Sequence, residues 1–332
     1  MTQLFSAKPF IIAEVGSNWT TFAEAKDAIR FAKNAGAHAV KFQLFDVGGL
    51  YGINKIGSPH PTIQNIDQYA ISNLDWIPKF KEKADAVGIE FMCSAFSTEL
   101  YDFVDQYVEV HKIASSELTH PDILEKVKSF GKPILLSCGA SSKGDIEHAL
   151  KILGGAKVVL MYCVAAYPAT QYNLFYMQDL KESFDVPIGL SDHSLDVFYT
   201  SLSAHHHFDA IAIEKHVNFT EHHTPDSGHS LSHKDFVLMC EMLNGKRDYE
   251  SFNPMPEEKE MFLKHNRRLI ATENIAKGNH LVYGKNFGAY RSLQEDAKGF
   301  TPFLWRNVDG KKALANIKIG ESINPENCEK IW

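Results

Sequence analysis

The chain has 332 residues, 44% of them hydrophobic and 23% charged, which is enough for one barrel-sized domain and a second small one. Its formal net charge of -7, without any block of basic residues, argues against nucleic acid or an anionic membrane as the main partner. No apolar run approaches the ~18 residues that span a bilayer, and the start MTQLFSAKPFIIAEV lacks the features of a secretion signal, so we expect a cytoplasmic protein. No CxxC pair occurs, which predicts reduced and mostly buried thiols at Cys93, Cys138, Cys163, Cys240 and Cys328.

Short apolar runs alternate with helix-period segments as far as residue 217. Runs that are apolar on both faces indicate parallel strands covered by helices. Eight such units in succession fit a (β/α)8 barrel better than an open doubly wound sheet. The predicted strands are residues 10–15, 39–44, 90–95, 108–115, 133–139, 157–163, 187–193 and 210–217.

Two intervening segments show clear helix signals. FAEAKDAIRFAKNAG has Gly36 just past its end, and SKGDIEHALKILGG opens on a serine and closes on paired glycines. By contrast, residues 45–74 are too long and too rich in Gly, Pro and Asn for a simple turn. We expect this connection to lie over the active site.

The pattern changes past residue 250. NPMPEEKE combines two prolines with a charge run and is typical of a linker, so the predicted domains are a barrel over 1–250, a linker over 251–265 and a small β-rich module over 266–332. The module holds brief strands interrupted by glycines. Since it is too short to bury much core alone, we expect it to pack on its own barrel or on that of a partner.

Polar residues end nearly every predicted strand. In a (β/α)8 barrel, catalytic groups project from the carboxyl ends of the strands, so polar residues there are informative. A single serine at such a position is more often a satisfied structural group, but eight polar strand ends together favour an active site. They are Glu14; Lys41 and Gln43; Ser94; Lys112, Ser115 and Ser116; Ser137; Tyr162 and Tyr167; Ser191, Asp192 and His193; and Glu214, Lys215 and His216.

Two of these groups predict specific chemistry. Lys41 and Lys112, with hydroxyls beside them, suit a ligand that carries both a phosphate and a carboxylate, although lysines paired with carboxylates in the barrel mouth are the alternative. His193 and His216 end adjacent strands and could share a divalent ion that keeps open coordination sites. The histidines at 205–207 fall in a helix-like segment that points away from the mouth.

The strand ends resemble those of the sialic acid synthase family, whose members make N-acetylneuraminate and its legionaminic and pseudaminic relatives. Beyond the linker, NRRLIATENIAKGNHL and the glycine-rich tail are similar to the small antifreeze-like (SAF) domain of these enzymes. The resemblance touches both domains. In order, its motifs are EVGSN at 14–18, KFQ at 41–43, HKIASSE at 111–117, GKPILLSCG at 131–139, YCVAAYP at 162–168, GLSDH at 189–193, EKH at 214–216 and PDSGHSL at 225–231.

The resemblance implies condensation of phosphoenolpyruvate with an N-acyl amino-sugar aldehyde, such as N-acetylmannosamine, to give a nonulosonic acid and phosphate. His193 and His216 would bind a divalent metal, usually manganese in the family, with magnesium or cobalt as alternatives. Gln43 would order the site. The implied phosphoenolpyruvate ligands are Lys41, Lys112, Ser94, Ser115, Ser137 and Ser191.

The remaining implied roles concern acid-base chemistry and the sugar. Glu14 would be the acid/base group, while Tyr167 and Glu214 would help to bind substrate. Asp226 would contact hydroxyls of the sugar. Arg291 in the small domain would reach the acyl-amino group of the sugar in the partner subunit of a domain-swapped homodimer.

Two positions depart from the family pattern. The family usually has NHxG after the first strand, whereas this chain has Trp19 in place of the histidine, which leaves the sugar specificity open. Ala165 stands where the family commonly has serine or asparagine, so one donor to the phosphate is missing. Two alternatives also stay open: a phosphoenolpyruvate-dependent synthase of a shorter 3-deoxy acid, which the C-terminal module disfavours, and a non-catalytic sugar-binding barrel.

Overall fold

Eight parallel strands form a closed barrel, because β1 pairs with both β2 and β8. The structure is a computed structural model that describes residues 9–51, 74–220, 222–245, 266–291 and 298–331, without the side chains of residues 48 and 49. The predicted fold class is confirmed. The strands are β1 Phe10–Glu14, β2 Ala39–Leu44, β3 Glu90–Ala95, β4 His111–Ile113, β5 Ile134–Ser137, β6 Val158–Tyr162, β7 Ile188–Asp192 and β8 Ala212–Asn218.

Helices cover the outside of the barrel, and the two with clear sequence signals begin as expected. Thr21 and Ser142 each accept a hydrogen bond from the backbone N–H three residues on, and an acidic residue there completes a capping box. Gly36 has a φ of +92° after the first helix. The helices of this part of the chain are Phe22–Asn34, Val47–Leu50, Trp76–Val87, Thr98–Asp105, Pro121–Ser129, Lys143–Ile152, Phe175–Phe184, Thr200–Phe208 and His233–Asn244.

The fourth strand is shorter than predicted. The apolar run 108–115 forms a strand only over His111–Ile113, and it pairs with β3 through the single register position Ser94 to Lys112. Past Ala114 the backbone turns into a short 3-10 helix, Ser115–Glu117. This early turn ends the ladder. A two-residue strand that the sequence did not suggest, β9 Leu231–Ser232, adds to the end of β8.

The barrel interior is apolar at the amino-terminal ends of the strands and polar at the carboxyl ends. Ile12, Met92 and Leu135 belong to an interior cluster, whereas a larger cluster fills the space between strands and helices. Charged and hydroxyl side chains therefore lie above a closed apolar floor. All five cysteines are free and buried, as predicted.

The chain divides into two compact units, residues 1–246 and 247–332. In the second unit, β10 Arg267–Ala271 pairs antiparallel with β11 Phe287–Arg291, and a short helix spans Trp305–Val308. The predicted linker 251–265 and most of the predicted connection 45–74 lie outside the described residues. No helix in the described part of the chain is long and apolar enough to cross a membrane.

The second unit has a core of its own. We expected so short a module to bury little apolar surface, yet its irregular segments and two strands enclose one cluster of buried side chains. Short runs with no periodicity supply most of that cluster. Its members are Leu269, Ala271, Ile275, Leu281, Phe287, Phe300, Val308, Ala313, Ile317, Ile323, Cys328 and Ile331.

Candidate active site

A polar cavity opens at the carboxyl ends of the barrel strands. Every residue to which the sequence assigned a catalytic, substrate-binding or metal role lines it, except Asp226, which lies beside it, and Arg291, which belongs to the second unit. Four other polar residues of the predicted strand ends do not line it: Ser116, Tyr162, Asp192 and Lys215. All eight strands or the loops after them contribute polar groups. The lining residues are Glu14, Lys41, Gln43, Ser94, Phe96, Lys112, Ala114, Ser115, Ser137, Tyr167, Ser191, His193, Glu214 and His216.

Glu14 is held by two neighbours from β2. Lys41 Nζ lies 2.7 Å from Glu14 Oε2, and Gln43 Nε2 donates to Glu14 Oε1 at 2.7 Å. Lys41 also donates to Ser94 Oγ at 3.0 Å. Glu14, Lys41 and Ser94 are buried. The carboxylate is therefore fixed in one orientation by a cation on one oxygen and an amide on the other.

Glu214 forms a second cluster of charged groups that shares Lys41 with the first. Its carboxylate lies 3.6 Å from Lys112 Nζ and 3.8 Å from Lys41 Nζ, and it accepts from Ser191 Oγ at 3.1 Å. Two buried lysines thus balance two buried glutamates. Pairing with carboxylates, which was the alternative for the lysines, is therefore present, and it accompanies a cavity that both lysines line.

The two carboxyl groups are driven apart in acidity. Burial raises the pKa of Glu14 from 4.5 to about 7, and Lys41 only partly offsets it. Burial also acts on Glu214, but Lys112 and Lys41 outweigh it and lower the pKa of Glu214. Neighbouring carboxyls whose environments separate their pKa values can take different roles in one reaction. Here Glu214 stays ionised, and Glu14 can exchange a proton near neutral pH.

The hydroxyl groups of the cavity include one without a partner. Ser115 Oγ accepts from the backbone N–H of Gly139 at 3.0 Å and lies 3.0 Å from Cys163 Sγ. Ser137 Oγ is buried and has no hydrogen-bond partner within the protein. A buried polar group of this kind is usually completed by a ligand or by water.

Three groups that suit a divalent cation converge at one edge of the cavity. Ligand atoms of His216, Asp226 and His229 all lie within 4.8 Å of one another. His216 Nδ1 is buried without a hydrogen-bond partner, 3.9 Å from Asp226 Oδ2. Burial lowers the pKa of His216 well below 6.5, with further lowering from the adjacent imidazoles, so that this ring is neutral. Neutral imidazoles and a carboxylate suit manganese, iron and zinc.

His193, the predicted partner of His216, lies next to this cluster. Its ring centroid is 5.5 Å from that of His216, and its Nδ1 bonds the carbonyl of Val164 at 2.8 Å. The pair remains a prediction as a ligand set. His229 was not predicted from the sequence, because it lies in a loop after β8 and not at a strand end. From its motif PDSGHSL the sequence predicts a role only for Asp226.

Asp226 is set by the loop after β1. The backbone N–H of Ser17 donates to Asp226 Oδ2 at 2.8 Å. Gly16 adopts a φ of +53°, and a Cβ atom there would lie 2.3 Å from the same oxygen. Glycine is therefore required both by the backbone conformation and by the close approach of the carboxylate.

Tyr167 lies against the imidazole rings. Trp19 and Ala165, the two departures from the family pattern, differ in burial. The ring of Tyr167 lies 4.4 Å from that of His193 and 4.9 Å from that of His229, measured between centroids. Trp19 is buried, donates to Gly16 O and packs on Trp76, so it does not line the cavity. Ala165 is exposed on the same loop as Tyr167.

A closed (β/α)8 barrel whose mouth gathers buried lysines, carboxylates and imidazoles defines an enzyme of the barrel class. The family model described as NeuB family matches residues 28–250. The chain belongs to the NeuB family.

Individual relatives agree with this assignment. The chain is 32% identical over 287 residues to the uncharacterized protein MJ1065 of Methanocaldococcus jannaschii, covering 82% of each. It is 29% identical to an N,N'-diacetyllegionaminic acid synthase of Campylobacter jejuni, covering 95% of this chain and 99% of that one. Among solved structures, the N-acetylneuraminic acid synthetase of Leptospira borgpetersenii superposes with a TM-score of 0.65 at 28% identity, covering 77% of this chain and 90% of that one.

Proposed function

We propose that this protein condenses phosphoenolpyruvate with an N-acyl amino-sugar aldehyde to form a nonulosonic acid and phosphate. The observation that carries the proposal is the pair of buried lysines, Lys41 and Lys112, beside the unpartnered hydroxyl of Ser137 in one cavity. Ammonium groups and hydroxyl donors at short range suit a ligand that carries a phosphate and a carboxylate. Membership of the NeuB family supports the same reaction class.

The residues present fit a divalent metal. His216, Asp226 and His229 offer two imidazole nitrogens and a carboxylate oxygen, and we propose them as the ligands together with, or in place of, His193. Manganese is the ion that we propose, with magnesium and cobalt as alternatives. Such an ion would polarise the aldehyde oxygen of the sugar.

The protein's own groups account for the remaining steps. Lys41 and Lys112 hold the phosphate and carboxylate and neutralise the charge that grows on the phosphate as it leaves. C3 of phosphoenolpyruvate bonds to the aldehyde carbon, and water adds at C2. Glu14 accepts a proton of that water and returns it to the alkoxide that was the aldehyde oxygen. The C2–O bond to phosphate then breaks, C2 becomes a ketone, and the proton of its hydroxyl leaves with the phosphate. Glu214 stays ionised and offsets the positive charge that develops at C2.

The identity of the sugar is narrowed only to a class. The Campylobacter relative is named for N,N'-diacetyllegionaminic acid and the Leptospira structure for N-acetylneuraminic acid. Trp19 is turned into the core, so its side chain offers the sugar no hydrogen bond, and Ala165 has no polar side chain to donate to the phosphate. We infer a substrate for which these contacts are dispensable.

We also propose that the small unit, as an SAF domain, acts on the barrel of a second subunit in a swapped cytoplasmic homodimer. Arg291 is exposed on β11, directly across from Arg267 on β10. Like charges directly opposite each other destabilise a strand pair, which favours a role in binding. Basic residues outnumber acidic ones in 266–332, whereas acidic residues outnumber basic ones in 1–250, so the two parts attract each other.

The direct test is an assay of the purified protein with phosphoenolpyruvate, manganese and a panel of hexosamine and bacillosamine-derived aldehydes. Phosphate release should require one of these sugars and should disappear with a chelator. Phosphate release that does not depend on any sugar, or release only with a sugar phosphate that carries no N-acyl amino group, would contradict the proposed reaction. The Glu14→Gln variant, which should lack turnover, serves as the control for background phosphatase activity.

A further inference from the structure

Two three-residue segments lie in matched register on neighbouring strands: 191–193 at the carboxyl end of β7 and 214–216 within β8. Ser191 lies opposite Glu214, and Asp192 lies opposite Lys215. Side chains alternate between the two faces of a strand. The first and third residues of each segment line the cavity, and the middle residues, Asp192 and Lys215, do not. Asp192 and Lys215 therefore form an ion pair on the outer face of the barrel. Along each strand, the residues before and after this pair face the cavity.

This ion pair is sealed from solvent. Lys215 Nζ lies 2.9 Å from Asp192 Oδ2, and neither side chain has any exposed surface. The ammonium group has three N–H bonds, and it finds three acceptors: Asp192, the hydroxyl of Ser194 at 3.0 Å and the carbonyl of Asp196 at 3.0 Å. Every donor of the lysine is used.

The carboxylate extends the network to both sides of His193. Asp192 Oδ1 accepts from the backbone N–H of Ser194 at 2.9 Å, and Oδ2 accepts from Ser201 Oγ at 2.8 Å. The backbone N–H of His193 itself donates to Tyr172 Oη at 2.7 Å. The turn that carries His193 is therefore fastened to β8 and to the helix that follows.

Stability is a poor explanation for such a pair. Two charges lose their hydration when they are buried, and apolar side chains of similar volume are often as stabilising or more so. Apolar side chains, however, cannot direct hydrogen bonds to chosen atoms of a turn. We propose that Asp192 and Lys215 are positioning residues that hold His193 and His216 in a fixed arrangement relative to each other. They would thereby set the affinity of the site for its divalent metal. This inference rests on the proposed function.

The test replaces both partners at once, because removal of one alone leaves a buried charge unpaired. The Asp192→Leu/Lys215→Met double variant should fold, retain affinity for phosphoenolpyruvate and bind Mn²⁺ about 10- to 100-fold more weakly, as is typical when the outer partners of metal ligands are lost. Manganese titration followed by electron paramagnetic resonance measures this. The matched control is Lys132→Met, which removes the lysine of the Asp105–Lys132 ion pair near the amino-terminal end of β4.

A second readout does not depend on the metal. In metal-free protein labelled with ¹⁵N-histidine, the double variant should shift the imidazole signals of His193 and His216 and leave that of His111 in place. Unchanged signals, wild-type affinity for Mn²⁺, or a double variant that does not fold would each overturn the positioning role. If the wild-type protein binds no Mn²⁺, the proposed metal is wrong, and the histidine signals alone decide the inference.

Discussion

Lys41 Nζ lies 2.7 Å from Glu14 Oε2, and neither side chain is more than 3% exposed. One lysine therefore serves both as the partner of the proposed acid/base group and as a proposed ligand of the phosphate. An anion that engages Lys41 competes with Glu14 for its charge, so substrate binding and the protonation of Glu14 are coupled.

The pH profile should report the pKa of Glu14. Burial raises this pKa to about 7. A general base must be deprotonated, so kcat/KM should rise with pH through about 7, and Glu14→Gln should lower kcat by about 10²- to 10⁴-fold and remove this limb. The control is Glu90→Gln, whose carboxyl pKa is also raised by burial but which starts β3, away from the cavity. An unchanged profile in Glu14→Gln would assign the ionisation to another group.

Thermal unfolding of the same variant gives a second reading of that pKa. The folded-state pKa of Glu14 lies above the ordinary 4.5, so its contribution to the free energy of unfolding is fully present below 4.5 and is lost as the pH rises through about 7. Glutamine cannot ionise. The melting temperature of Glu14→Gln, relative to that of the wild type at the same pH, should therefore increase as the pH is raised from 4.5 to about 7.

Lys112→Met should weaken the binding of phosphoenolpyruvate without weakening that of the sugar. One charge-assisted contact contributes about 1.5 to 3 kcal/mol, so the KM for phosphoenolpyruvate should rise roughly 10- to 150-fold, while the KM for the sugar changes little. Steady-state kinetics with each substrate varied in turn measures both. Lys126→Met, which alters only an exposed pair with Asp102, is the matched control. Equal effects on the two substrates would show that Lys112 does not bind the phosphoenolpyruvate anion.

Replacement of the clustered imidazoles should remove the metal without unfolding the barrel. His216→Ala and His229→Ala should each abolish turnover and weaken Mn²⁺ binding, measured by titration of the chelator-treated protein. His193→Ala distinguishes the two proposed ligand sets, because it should weaken Mn²⁺ binding as strongly as His216→Ala does only if His193 is itself a ligand. His207→Ala, exposed on the helix Thr200–Phe208, is the control. Full activity of His216→Ala in a chelator would remove the metal from the mechanism.

Gly16→Ala should weaken Mn²⁺ binding at His216, Asp226 and His229 in addition to straining the backbone. A residue with a Cβ at positive φ costs roughly 1 to 2 kcal/mol. Gly131→Ala carries the same strain at a φ of +72° with nothing within 4 Å of the new Cβ, so it isolates that term. At Gly16 the new atom also meets Asp226 Oδ2, so only Gly16→Ala should weaken Mn²⁺ binding. Equal Mn²⁺ affinities in the two variants would contradict the support of Asp226 by this loop.

Mixed dimers test the shared site. Glu14→Gln and Arg291→Ala should each be inactive alone, whereas subunit exchange between them creates one site that contains both wild-type residues. A fraction of wild-type phosphate release should then return. Exchange can be followed with differently tagged subunits. Demonstrated exchange without recovery, or a monomer in solution, would leave the small unit acting on its own barrel.

The barrel could be predicted closely because its strands are buried on both faces. Apolar runs such as 39–44 and 90–95 coincide with β2 and β3 to the residue. The same periodicity cannot show where a strand turns, so the apolar run 108–115 predicts a longer strand than the observed His111–Ile113. The position of a residue at a strand end sufficed to place Glu14 and Lys41 in one cavity, since all eight carboxyl ends meet there.

Residues placed by long-range contacts could not be predicted in this way. His229 reaches His216 because Ser230 accepts from Asn18, which lies 212 residues earlier, and because Ser17 holds Asp226. No local pattern encodes these contacts. The core of the small unit escaped prediction for a related reason: its buried side chains come from irregular segments without a period.

The pairing of β1 with β8 has a consequence for synthesis of the chain. Phe10 lies opposite Ala212, and Ser17 bonds Asp226 across 209 residues, so the barrel cannot close and Asp226 cannot be seated until nearly the whole barrel has been made. Loop closure over such a distance comes late in folding. A nascent or truncated chain that stops before β8 therefore holds the two lysines but lacks Glu214, His216 and His229. Such a fragment could not catalyse the condensation.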